Sequence, residues 1–191
     1  MRRGMMARLL ALAISFALAG SAWALDVEGV HLDDGTTLGG RPLVLNGAGI
    51  RKKFFFKVYV ASLYLPGKAS TTEAVLAQSP RRIQMNMLRN LTAEQLVEAL
   101  VDGLKDNTTE AERTAIKSQT DALVSIMKSF KEVSEGSVVS LDFADGVTRV
   151  VLDGKERGEI GGDAFNRALT DIWLGGHPVQ SDLKKALLGG A

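Results

Sequence analysis

The sequence predicts an α+β fold in which a large antiparallel sheet is backed by a layer of helices, and three observations carry that expectation. Asp34-Gly35, Asp145-Gly146 and Asp153-Gly154 are turn signals, because glycine accepts the positive φ that tight hairpins require. The run Phe54 to Leu65 is apolar on both alternating faces, with Phe54, Phe56, Val58, Val60 and Tyr64 on one and Phe55, Tyr59, Ala61, Leu63 and Leu65 on the other. A strand of that kind belongs in the interior of a sheet. Strand-like and helical segments then come in blocks rather than in alternation, the order that segregates helices to one side of an antiparallel sheet.

Further strands are expected around Thr37 to Leu45, Arg82 to Leu88, Ser137 to Phe143 and Val147 to Leu152. A first helix opens at Thr92-Ala93-Glu94-Gln95, a capping box in which hydroxyl and amide satisfy backbone donors reciprocally. Its apolar face is Leu96, Val97, Leu100, Val101 and Leu104. A second box, Thr109 to Glu112, predicts a longer helix with Ile116, Leu123, Ile126, Met127 and Phe130 at three- and four-residue spacing. A third helix is expected from Asp163 as N-cap through Phe165, Leu169, Ile172 and Trp173, and a short fourth from Ser181.

Residues 1–24 read as a cleavable signal peptide. Arg2, Arg3 and Arg8 precede the apolar run Leu9 to Ala19, which is shorter than the ~20 residues of a membrane span, and Ala22-Trp23-Ala24 is an A-x-A cleavage site. The expected mature domain is 25–191, exported to the periplasm or secreted, with no stable membrane anchor after cleavage. Its 20 basic and 22 acidic residues give a net charge of −2, in contrast to +1 for the whole chain. With no basic stripe, binding to nucleic acid or to an anionic membrane surface has little electrostatic support. The absence of cysteine excludes disulfides, thiolate catalysis and Cys-ligated metals.

No dinucleotide fingerprint, P-loop, GxSxG elbow or HExxH is present. His31 with Asp33 and Asp34 reads as a turn rather than a metal site, and no cofactor is implied. His177, in Gly-Gly-His-Pro, reads as a C-terminal cap to the third helix. Asn46-Gly47-Ala48-Gly49-Ile50-Arg51 is more informative, because two glycines lie between strand-like runs and deliver an arginine just ahead of an apolar strand. A guanidinium there can meet a carboxylate or enolate in an apolar pocket. A solvated basic hairpin of Arg51, Lys52 and Lys53 fits the same spacing.

The blocks Leu45 to Arg51, Phe56 to Leu65 and Leu174-Gly175-Gly176-His177-Pro178-Val179-Gln180-Ser181-Asp182-Leu183-Lys184, with a weaker Leu88 to Thr92, resemble the chalcone isomerase-like superfamily, in particular its exported bacterial branch. The resemblance implies an open-faced β-sandwich with a ligand cleft between sheet and helices. In the plant enzymes an arginine after the Gly-Ala-Gly turn holds the flavonoid oxygen that becomes negative during ring closure, and Arg51 stands at the matching place. The threonine of the following strand falls at Tyr59, the catalytic tyrosine of the first helix at Leu96, and a threonine near the last helices at Ile172.

An arginine kept without those partners resembles the non-catalytic members, some of which bind fatty acids through an arginine and a tyrosine. The resemblance thus implies a small apolar carboxylate held by Arg51 with Tyr59, or with Tyr64 if the strand faces are reversed. Phe55, Leu63, Leu96 and Leu100 would form the apolar wall, although each is also what a core needs. A cofactor-independent isomerase using Arg51 and Tyr59, and a cell-envelope interaction module without a small ligand, are the alternatives.

Overall fold

A computed structural model of the chain describes residues 25–190; the expected signal segment lies outside the described residues. A short hairpin, β1 (Leu25–Val27) and β2 (Val30–Leu32), leads into β3 (Gly35–Leu38), β4 (Arg41–Lys53) and β5 (Phe56–Leu65). Helix α1 (Thr72–Leu76) precedes β6 (Arg81–Met87), and the two-residue strand β7 (Leu91–Thr92) introduces α2 (Ala93–Asn107), α3 (Glu110–Ala115) and α4 (Lys117–Ser129). Then come β8 (Glu132–Val133), β9 (Val138–Ala144), β10 (Val147–Leu152) and β11 (Lys155–Gly161), followed by α5 (Asp163–Leu174) and α6 (Ser181–Leu187).

Seven strands form one antiparallel sheet in the order β11-β10-β9-β6-β5-β4-β3. The doubly apolar strand β5 is interior, as expected, and its two faces feed two separate cores. Tyr59, Ala61, Leu63 and Leu65 face the helices, joining Leu100, Leu104, Leu123, Leu169 and Trp173. Val60 and Tyr64 face the other way, onto Leu32, Leu38, Leu43 and Leu45.

Several expectations are corrected. Thr37 to Leu45 is not one strand but the hairpin of β3 and β4, turned by Gly39 and Gly40 at φ 57° and 76°, the left-handed pair that a two-residue loop requires. Asp145-Gly146 and Asp153-Gly154 are such turns, but Gly35 begins β3 instead, and an added Cβ there would stand 2.6 Å from the Leu43 carbonyl oxygen. Asn46 to Arg51 lies inside β4, with a bulge between Leu45 and Gly47.

Both capping boxes form. The second helix is broken at Ile116, because its apolar stripe starts only there and packing acts on α4 while α3 buries nothing. The residue ahead of α5 is Gly162, and Asp163 is its first helical residue, without a side-chain cap.

Helix α6 lies directly on β4. An added Cβ at Gly47 would stand 2.0 Å from the Ala186 carbonyl oxygen, and one at Gly49 would stand 2.8 Å from the Ala186 Cβ. Two amide side chains hold this contact at its ends. Asn46, in the bulge, donates to the Leu187 carbonyl at 2.7 Å, and Gln180, just ahead of α6, brackets the far end of the strand. Gly47→Ala is expected to destabilise the protein by about 1–3 kcal/mol through overpacking. Gly176→Ala, whose Cβ meets nothing within 4 Å, should stay within roughly 0.5 kcal/mol of wild type in the same urea titration.

Candidate functional site

Alternation along β4 puts Gly47, Gly49 and Arg51 on the helix-facing side. The two glycines are covered by α6, and Arg51, the next residue on that face, lies past the helix start and opens into a cleft. Gln180 fixes this edge: its Oε1 accepts from the Lys52 backbone N–H at 2.8 Å, and its Nε2 donates to the Ile50 carbonyl at 3.1 Å. Arg51 Nη1 donates to the Lys52 carbonyl and, at 3.5 Å, to Gln180 Oε1. Among the described residues no carboxylate pairs with Arg51.

Tyr59 is the cross-strand partner of Arg51, so the two side chains share a face. Its hydroxyl accepts a 3.0 Å bond from the Trp173 indole N–H, and its own proton has no acceptor among the described residues. Burial raises the pKa of the phenol, while the Trp173 bond and the Arg51 charge pull in the opposite direction. The part of Tyr59 left uncovered faces a cavity rather than bulk solvent.

That cavity has a volume of about 460 Å³ and is lined by Arg51, Tyr59, Leu96, Ala99, Ile172 and Val179. Behind it lies an apolar chamber of about 90 Å³ among Met85, Leu100, Leu123, Met127, Leu141 and Trp173. Tyr59, Leu96, Ala99 and Ile172 line both spaces and so lie between them. The rim is divided by charge: Lys53 and Arg89 stand with Arg51 on the sheet side, and Glu98, Asp102 and Asp106 recur every fourth residue along α2.

Of the residues expected at a site, Arg51, Tyr59, Leu96 and Leu100 come together. Three do not line either space. Tyr64 is on the opposite face of the sheet and donates to the Asp33 carbonyl at 3.2 Å, Leu63 is fully buried in the core, and Phe55 is 83% exposed at a hairpin tip. His177 is not a helix cap either. Gly175 ends α5, and the His177 backbone is held at the rim by the Asn107 side chain, which donates to its carbonyl at 2.7 Å and accepts from its N–H at 3.0 Å. Trp173 and Gln180 carry roles that sequence reasoning did not assign. In sequence Trp173 is one more apolar residue of a helix face, and Gln180 is one polar residue within the block Leu174 to Lys184.

An open-faced antiparallel sheet with a helix-roofed, largely apolar cavity and cations at its rim defines the class. The chain belongs to the chalcone isomerase-like family, whose sequence profile matches residues 24–189. Among solved structures it is similar to a fatty-acid binding protein from Arabidopsis thaliana, with a TM-score of 0.64 and 14% identity, covering 87% of this chain and 96% of that one. Comparison with curated proteins finds no significant match.

The Tyr59 environment has a measurable consequence. A phenol whose folded pKa lies above its unfolded value near 10 contributes stability that is complete below about pH 10 and lost as pH rises through the folded value. Wild type should therefore lose thermal stability more steeply than Tyr59→Phe above about pH 10, Tyr64 contributing equally to both. In a Tyr64→Phe background Tyr59 is the only tyrosine left, and spectrophotometric titration should show its pKa rising further on Arg51→Ala.

Proposed function

We propose that this protein is a non-catalytic carrier or sequestering protein for a small apolar carboxylate of the fatty-acid type. One observation carries the reading: a guanidinium without a carboxylate partner among the described residues stands at the mouth of a largely apolar cavity that has a second apolar chamber behind it. The carboxylate would accept from Arg51, and the Tyr59 hydroxyl is free to add a second donor. The chain would run past Leu96, Ala99 and Ile172, each buried methylene contributing about 0.8 kcal/mol. The small inner chamber takes the end of the chain, with Met85 and Met127 as adaptable walls. The Arabidopsis structure, of the same fold, is that of a fatty-acid binding protein, which supports the class of ligand.

An intramolecular lyase of chalcone type has one observation in its favour, since Arg51 and Tyr59 can offer two donors to a developing oxyanion. Leu96 and Ile172 weigh against it, because they present hydrocarbon where the plant enzymes place hydroxyl groups. Screening chalcone cyclisation tests this reading directly.

We further propose export to the periplasm, with cleavage after Ala24. The start of the family match at residue 24 supports this boundary. N-terminal sequencing of the protein from its native compartment should read Leu25.

The ligand is sought by purifying the protein from that compartment, denaturing it and analysing the extract by mass spectrometry. A stoichiometric acyl carboxylate is expected in wild type and should be depleted in Arg51→Ala. In direct titration with palmitate, Arg51→Ala should weaken binding by about 10- to 100-fold, the value of a charge-assisted hydrogen bond. Ala99→Phe, which places a ring between the two cavities, should weaken long chains more than short ones. Equal binding by wild type and Arg51→Ala would remove Arg51 as the anchor.

A further inference from the structure

The most conspicuous apolar surface of the molecule is not in the cavity but beside it. Phe54 and Phe55 form the turn between β4 and β5 and are 87% and 83% exposed, and Phe56, which follows, is 46% exposed. The other large apolar residues exposed among those described are Leu25, Val44 and Val101, none above 47%. A side chain exposed to the extent of Phe54 stands clear of the protein on nearly every side.

Folding does not call for phenylalanine here. Phe54 has φ 57°, a left-handed backbone conformation that glycine adopts freely and that is an outlier for a bulky residue. The chain thus bears both a backbone cost and an unburied aromatic pair at one point, and such combinations concentrate where function requires them.

The charges carried by the tip segment itself are of one sign. Lys52 and Lys53 precede the turn and are exposed, and the Arg89 guanidinium lies over the Phe56 ring at 4.7 Å. Lys57 follows but is occupied by Glu28 at 2.5 Å. Residues 51–57 contain no acid. The net charge of −2 for residues 25–191 conceals this patch, because the acids of the rim, Glu98, Asp102 and Asp106, are on the opposite wall.

We propose that the Phe54-Phe55 tip, with its collar of Lys52, Lys53 and Arg89, docks the cavity mouth reversibly on an anionic phospholipid surface. A protruding apolar apex ringed by cations complements a bilayer, in which hydrocarbon lies behind a negative headgroup layer. The acids on α2 orient the contact, since repulsion turns their wall away from the same surface. Phe54 and Phe56 themselves line the outer cavity with Arg51, so docking by the tip sets the mouth at the headgroup level. An amphipathic lipid could then pass between bilayer and cavity with little exposure of its chain to water. Net charge gives binding to an anionic membrane surface little support, and the proposal confines that binding to this one locality.

The test is flotation with phosphatidylglycerol–phosphatidylethanolamine vesicles, and with phosphatidylcholine vesicles for comparison. It uses the chain from Leu25 onward, which contains every described element of the fold and omits the apolar leader. Wild type is expected to float with the anionic vesicles, less with phosphatidylcholine, and less as salt is raised. Replacing both lysines, Lys52→Gln with Lys53→Gln, should cut anionic binding by about tenfold or more. Phe54→Gly with Phe55→Ser should abolish flotation while leaving the thermal midpoint unchanged or higher, because glycine relieves the turn. Wild type that fails to float with anionic vesicles, or a Phe54→Gly, Phe55→Ser variant that floats as well as wild type, would overturn the proposal. The assay contains no fatty acid, so it succeeds or fails independently of the ligand proposed above.

Discussion

The seating of α6 on the bare backbone of β4 is the contact on which the candidate site depends. Where Gly47 and Gly49 leave no side chain, the helix approaches to van der Waals distance of the strand, and Leu183 and Leu187 reach the core. The helix begins at Ser181, so the face it covers ends just before Arg51. Asn46 and Gln180 fix the two ends of this contact through hydrogen bonds to backbone, which define position more tightly than apolar packing does. Val179 also donates to the Ile172 carbonyl at 2.8 Å, drawing the loop ahead of α6 back onto α5 and forming the outer wall of the cavity. The exposure of one arginine is therefore a product of where a helix starts.

The distribution of the other buried polar groups sharpens the contrast with Arg51. Arg82 and Asp142, on the far face of the sheet, form a paired bridge at 2.6 and 2.7 Å. Arg81, buried on the helix side, donates to the Gln78 carbonyl and to Asn166, and its guanidinium lies 4.8 Å from the centre of the Phe143 ring. The Arg82 charge is neutralised within the fold, whereas Arg81 is enclosed with neutral acceptors only and its Nε has no partner among the described residues. Burying a charge without such partners is costly, and Arg51 escapes that cost by remaining half-buried at a rim, with carbonyl and amide oxygens that orient it without neutralising it. Its charge is left for something outside the fold.

Much of this arrangement was legible in the sequence, and the lapses have physical causes. The two apolar faces of β5, both capping boxes and the turns at Asp145-Gly146 and Asp153-Gly154 are local signals, each decided by residues within a few positions of one another. Gly39-Gly40 is also a local signal, yet it lies inside the run Thr37 to Leu45 that reads as one strand. Gly47 and Gly49 could be seen to matter, but a glycine that admits a turn and one that admits a distant helix are identical in sequence, and Ala186 is far along the chain. The Arg51–Tyr59 pair comes from the family resemblance, with Tyr64 as the alternative, and the cross-strand register is what puts Tyr59 beside Arg51 and Tyr64 on the other face. Phe55 fell on the correct alternation but just outside the strand, where the turn detaches it from either face. Trp173 and Gln180 act through contacts across the fold, to Tyr59 and to β4, which periodicity does not reveal.

The boundary between the two cavities bears on why this fold would hold a ligand rather than transform one. On the family resemblance Leu96 and Ile172 fall where the plant enzymes carry hydroxyl groups, and with Ala99 they put hydrocarbon between the two cavities. Hydrocarbon walls exclude water, and a guanidinium–carboxylate pair at the edge of such a space is less screened than it would be in solution. The same walls offer no group that can order an attacking phenolate or relay a proton. Tyr59 is the remaining hydroxyl of that set, and burial raises its pKa, so it stays protonated and available as a hydrogen-bond donor near neutral pH. On the proposed reading, the substitutions that remove catalytic groups also strengthen the grip on a carboxylate, so loss of chemistry and gain of affinity follow from the same residues.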